Sequence, residues 1–235
     1  MKTVILELDK ELESLAAFED KLLELSLAIM KADEKFYPVD LIANAVIKRS
    51  LALIAGFCTL IRAKNFICAA PLVRLHLDSL LRFSAIWLVK DCHGLANEIW
   101  EGKHVRNLKD KKGNRMTDQY LVDCLAKENP WVKSVYEATS GYIHLSKAHI
   151  YNTYSPNSKS NQWEVAIGKK DEFIPDDIRI EGCLAMKAIT EKIIWYLDGW
   201  QQTKSGTHKL SPKKPTKNQP WKKGKNFFRA FASLR

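Results

Sequence analysis

The stretch Asn65 to Asp91, NFICAAPLVRLHLDSLLRFSAIWLVKD, constrains the fold more than any other part of the chain. Its spacing predicts one long helix, apolar on nearly every side, and such a helix belongs in the middle of a bundle. The exceptions are Arg74, Asp78 and Arg82, which recur every four residues and so share one stripe. Charges on a buried helix are costly unless they are paired or put to use. Pro71 falls inside the pattern, so the helix either starts near it after a shorter piece or is kinked there. Both readings leave Arg74 within a turn of the irregularity.

Other segments supply packing partners for such a helix. Residues 3–34 place Leu12, Leu15, Phe18, Leu22, Leu25 and Ile29 at threes and fours, which predicts an amphipathic helix ended by Tyr37-Pro38. A second helix over Asp40 to Lys64 is apolar enough to be buried on most sides. His93-Gly94 reads as the stop of the long central helix, and a short helix covers about Leu95 to Trp100. Residues 102–118, GKHVRNLKDKKGNRMTD, read as a polar, basic surface loop. Thr117 or Asp118 caps a helix over about 118–128, and Trp131 to about Tyr151 forms another. Trp163 to Ile167 with the following Gly168 reads as a short hairpin within 162–170, and Pro175-Asp176 opens a last long helix to about Gln202. The expectation is an all-α single domain over residues 1–203, a bundle of six or seven helices, followed by a tail.

The formal net charge of +10 belongs to that tail. Residues 201–235 hold ten Lys and Arg and no Asp or Glu, which leaves 27 basic and 27 acidic side chains in residues 1–200. The body is formally neutral. Up to Gln219 the tail is rich in Pro, Lys and small polar residues and cannot bury a core. Further on, Lys222, Lys223, Lys225 and Arg229 surround Trp221 and the phenylalanines. With Lys213 and Lys214 they are candidate nucleic-acid contacts, since lysines neutralise phosphates and aromatics stack on bases. A solvated basic tail, or a segment that becomes amphipathic on a membrane or protein surface, fits the same residues.

The five cysteines are scattered and form no CxxC pair, as expected of reduced thiols in a cytoplasmic protein. No signal-peptide h-region is present, and the longest clean apolar run, Leu51 to Ile61, is too short to span a bilayer. Asp91, Cys92 and His93 are adjacent and point different ways, so no metal site is expected, and no phosphate loop or cofactor motif is present.

A second polar stripe is expected on the helix from Trp131: Tyr136, Ser140 and His144, four and four apart. If the two stripes face each other, Arg74 and Arg82 hold phosphate or carboxylate oxygens and Asp78 orients a neighbour. His144 acts as acid or base, and Ser140 and Tyr136 position the substrate. That set suits metal-independent cleavage of an RNA phosphodiester, or simple binding of a nucleotide or other anion. The same residues also fit an intrahelical salt-bridge ladder and satisfied core polar groups.

Three segments, APLVRLHLDSLLRFSAIWLV, GKHVRNLKDKKGNRMTDQYLV and YEATSGYIHLS, together resemble a group of bacterial all-helical proteins. That group carries an Arg-rich buried helix and a later Ser-x-x-x-His helix, and the likeness spans about residues 40–200. More distantly the chain is similar to HEPN helical domains, many of them ribonucleases of toxin–antitoxin and phage-defence systems. The resemblance implies a helical bundle, a homodimer, RNA or nucleotide as ligand, and an antitoxin or defence protein as partner. The HEPN motif sets a histidine four to six residues after an arginine. No arginine here stands in that relation to a histidine, so Arg74 and His144 serve only by meeting in space. The rival expectation is a non-catalytic helical module that senses a ligand or docks a partner, with the basic tail as its attachment.

Overall fold

Two apolar helices form the centre of the molecule: α3 (Pro38–Arg62) and α4 (Phe66–Ser84). They lie side by side in a computed structural model that describes residues 2–157 and 162–206. Pro38 occupies the first turn of α3, where its missing N–H costs nothing. Asn65 caps α4 by accepting the Cys68 N–H at 3.2 Å. Pro71 is carried inside α4 without ending it, and Val73, Leu77, Leu80 and Leu81 are fully buried.

α4 is shorter than the apolar stretch that contains it. It tightens into a 3-10 turn at Ala85–Trp87, and a separate helix, α5 (Cys92–Trp100), follows. His93-Gly94 therefore opens a helix and does not close one. The Asp91 carboxylate caps α5 by accepting the Gly94 N–H at 2.8 Å. A Cβ on Gly94 would stand 2.4 Å from Asp91 Oδ2, so a larger residue there displaces the capping carboxylate.

α9 (Asp176–Lys204) crosses α4, α1 (Lys2–Ala16) and α2 (Phe18–Lys31) and completes the core. The single helix expected over 3–34 is two, divided at Ala17. The C-terminal end of α9 is locked by a buried ion pair: Lys204 Nζ lies 2.8 Å from Asp40 Oδ2, and both side chains are fully buried. Trp200 Nε1 donates to Asp40 Oδ1 at 2.8 Å, and Lys204 also donates to the Ile29 carbonyl at 2.9 Å. Lys204 is thus a core residue, and α9 ends on it. Lys213, Lys214, Trp221, Lys222, Lys223, Lys225 and Arg229 lie outside the described residues.

By length and composition alone, α3 is long and apolar enough to cross a membrane. Its buried residues, Ala43, Ile47, Ile54, Phe57 and Ile61 among them, belong to the core shared with α4 and α9.

α6 (Asp118–Ala126) starts where expected, with the Thr117 hydroxyl accepting the Tyr120 N–H at 3.3 Å. α7 (Trp131–Ser140) ends eleven residues before the expected Tyr151. The Thr139 and Ser140 hydroxyls donate to the Val135 and Tyr136 carbonyls, both at 2.6 Å, and the Tyr142 N–H closes a tight turn on the Thr139 carbonyl at 3.1 Å. The Ile143 N–H does the same on the Ser140 carbonyl at 3.2 Å, and the Ser146 hydroxyl takes the Gly141 carbonyl at 2.6 Å, so the helical ladder is not continued. Ser146 then caps α8 (Lys147–Thr153). The hairpin also differs from expectation. Its strands are β1 (Tyr154–Asn157) and β2 (Gln162–Val165), so Gly168 follows the second strand and makes no turn between strands.

Candidate functional site

Arg74, Asp78 and Arg82 do share a stripe of α4, and it faces α6 and α7. Arg82 pairs with Asp78 at 3.2 Å and, more closely, with Asp118 at the start of α6. Arg74 lies 3.6 Å from the other oxygen of Asp118, and its guanidinium covers the Tyr136 ring at 4.1 Å from the centroid. Two arginines and two carboxylates make a closed, neutral set in which Asp118 fills the fork expected to hold an anion. Arg82 Nη1 is buried with no hydrogen-bond partner among the described residues. Sequence alone marks Asp118 only as a possible cap. Its bridging role leaves one trace there, an acidic residue in the first turn of a helix that follows a basic loop.

Tyr136 thus meets Arg74 as the facing of two stripes requires, but Ser140 and His144 do not join it. The Ser140 hydroxyl is spent on the Tyr136 carbonyl. His144 is exposed in the turn between α7 and α8, off the helix that carries Tyr136 and Ser140. Tyr136 lies under Arg74, and Tyr142, six residues on, meets Phe66 edge to face at 5.6 Å, so the chain here runs antiparallel to α4. Tyr142, two residues before His144, is thus at the first turn of α4, and Arg82 lies roughly 24 Å from Phe66 along that helix at ~1.5 Å per residue. The arrangement ties α4, α6 and α7 together; it does not set a histidine beside paired guanidiniums.

No family model, curated protein or solved structure matches the chain.

The most unusual surface lies next to His144. In the hairpin, Tyr154 pairs with Val165 and Pro156 with Trp163. Side chains alternate along a strand, so these four share one face, while Ser155, Gln162 and Glu164 share the other. The apolar face is bare: Trp163 is 64% exposed, Val165 52% and Ile167, just past β2, 89%. Leu145 and Ile150 are exposed on the adjoining turn and α8. Two strands alone are marginally stable, and an exposed apolar face of this kind is a common mark of an interaction surface.

Its edges differ. The Ala166 N–H donates to the Thr153 carbonyl at 3.0 Å. Hydrogen-bonded and wide pairs alternate along an antiparallel ladder, so Ser155–Glu164 is a bonded pair and Pro156–Trp163 and Tyr154–Val165 are wide pairs. Backbone groups of the wide pairs point outward. Pro156 has no N–H to offer, which blunts the edge of β1. Trp163 and Val165 leave the edge of β2 open, with no further strand beside it among the described residues.

Among the described residues no group of three or more metal-ligating side chains converges.

Proposed function

We propose that this chain is a non-catalytic interaction module whose hairpin docks on a second copy of itself through β2. The carrying observation is the exposed apolar face of β1–β2 together with the edge of β2, unpaired among the described residues. A strand edge is complementary to its own two-fold mate, which favours a second copy. Centring the two-fold on Glu164 would set two carboxylates opposite each other, an unfavourable cross-strand pair. Centring it on Val165 removes that conflict: Val165 faces its counterpart, Trp163 faces Ile167 of the other copy, and Glu164 faces Ala166. The result is a four-stranded sheet with one continuous apolar face.

The experiment is sedimentation of the full chain beside Val165→Pro. In this register the Val165 N–H points away from β1, so proline removes an intermolecular bond and no bond within the hairpin. The expected result is a dimer for the parent chain and a monomer of unchanged circular dichroism for the variant. A variant that stays dimeric, or a parent chain that is monomeric at about 100 µM, a concentration weighed against ordinary interface affinities, overturns the proposal.

A further inference from the structure

The basic loop at 102–118 is a rigid structure. Lys109 and Arg115 form an antiparallel bridge, and Gly113 takes a left-handed φ of +88° at the turn between them. Asp110 organises the turn from inside: its carboxylate accepts the Lys112 and Asn114 N–H groups at 2.9 and 2.8 Å and the Tyr120 hydroxyl at 2.5 Å. The Lys111 N–H ties the loop to the Leu88 carbonyl at 3.0 Å, and Met116 is fully buried beneath it.

Between this loop and α5 lies a cleft of about 690 Å³ with Val89 and Leu95 in its lining. Three lysines and three carboxylates line it, yet the two sets are not equivalent. Asp91 is engaged by the Gly94 N–H, Asp110 by its donors and Glu98 by Lys103 at 3.2 Å. Lys90, Lys109 and Lys111 form no ion pair with any described residue, and neither do Lys112 and Arg115 beside them; all five are exposed. The bridge sets Lys109 directly opposite Arg115, a like-charge pair that weakens a two-stranded ribbon unless an anion lies against it.

We infer that this loop and cleft bind a single-stranded nucleic acid, with successive phosphodiesters along Lys109, Lys111, Lys112 and Arg115 and a base against the half-buried Val89. Four cations on the ribbon, with Lys90 across the cleft, match a chain of phosphates better than one phosphate, which needs converging donors. The apolar floor suits a flat base face, which an acidic peptide does not offer. The site lies apart from the hairpin interface and stands whether or not that interface forms.

The test measures fluorescence anisotropy of a labelled oligouridylate of about 12 nucleotides against the full chain across a salt series. Two charge-matched variants are compared with the parent. One replaces Lys109, Lys111, Lys112 and Arg115 with Gln. The other replaces Arg62, Lys64, Lys169 and Lys170, which line a separate pocket of about 380 Å³, with Gln. The loop variant is expected to bind about tenfold or more weakly, with a salt slope shallower by ~0.7 for each phosphate no longer neutralised; the control variant changes little. Should the quadruple loop variant melt lower than the parent, Lys111→Gln/Lys112→Gln supplies the reading. Equal losses in both variants would reduce the effect to net charge, and no loss in the loop variant would assign binding to the tail; either result overturns the inference. Displacement of the oligonucleotide by uridine monophosphate at matched phosphate, or by polyglutamate at matched charge, also overturns it, in favour of a single-anion site or an acidic protein respectively.

Discussion

His76 shows how much one buried side chain fixes. Its Nε2 lies 2.9 Å from the Thr190 hydroxyl, which itself donates to the Met186 carbonyl at 2.8 Å. A hydroxyl has one proton, so Thr190 accepts and His76 Nε2 donates. Nδ1 is then a bare acceptor, buried with no partner among the described residues. Burial, reinforced by the nearby charge of Arg49, holds the imidazole pKa down at about 3 against 6.5 for an ordinary histidine. The folded chain therefore refuses a proton that the unfolded chain takes up between those values. Stability is full above pH 6.5 and falls as pH drops toward 3, by up to ~1.4 kcal/mol per unit. His76→Gln keeps a donor for Thr190 and removes the titration. Urea unfolding at pH 7, 5 and 4 is expected to show a shallower acid loss in the variant; parallel losses would mean that His76 is not the titrating group.

At the scale of elements, starts and stops decide more than interiors. The Asp91 cap on α5 closes over Gly94 so tightly that Gly94→Ala must push the carboxylate off. Alanine ordinarily favours a helix, yet here a loss of ~1–2 kcal/mol is expected, the worth of an N-cap. Thermal melting of Gly94→Ala beside Asp91→Ala checks this, and the two losses should fail to add. The same position explains what is legible in sequence. The interiors of α3, α4, α6 and α9 are legible because their apolar period is set by burial on the core. Gly94 reads as a stop and Gly141 as a helix interior, and neither is, because a glycine signals conformational freedom without saying which neighbour uses it. α7 stops where the Tyr142 and Ile143 N–H groups bond three residues back instead of four, and that change of ladder carries no periodic signal. Of the candidate site, the stripe of Arg74, Asp78 and Arg82 is legible from its spacing. Its closure by Asp118 depends on how α6 packs against α4, which no local pattern encodes. The alternation of Trp163, Val165 and Ile167 is equally plain, but alternation announces an apolar face and not whether the fold covers it.

For the whole molecule, composition divides the chain into a neutral body and a basic tail, and the structure joins the last turn of α9, Lys204 included, to the body. Lys204 counts with the tail by composition, yet it is the only cation that meets the fully buried Asp40 carboxylate in an ion pair among the described residues. Removing one partner of such a pair strands the other charge in the core, at ~3–5 kcal/mol. Truncation after Gly206 keeps the pair and is expected to leave the melting temperature unchanged. Truncation after Thr203 removes Lys204 and is expected to lower it by roughly 10 °C, taking ~2–4 °C per kcal/mol for a domain of this size. Lys204→Met in the full chain should reproduce that loss with the tail intact, which separates the ion pair from any contribution of residues 207–235. Asp40→Asn/Lys204→Met should recover part of it, because no unpaired charge is then left inside. If truncation after Thr203 melts with the full chain, the pair contributes nothing to stability, and the body ends where composition alone would place it.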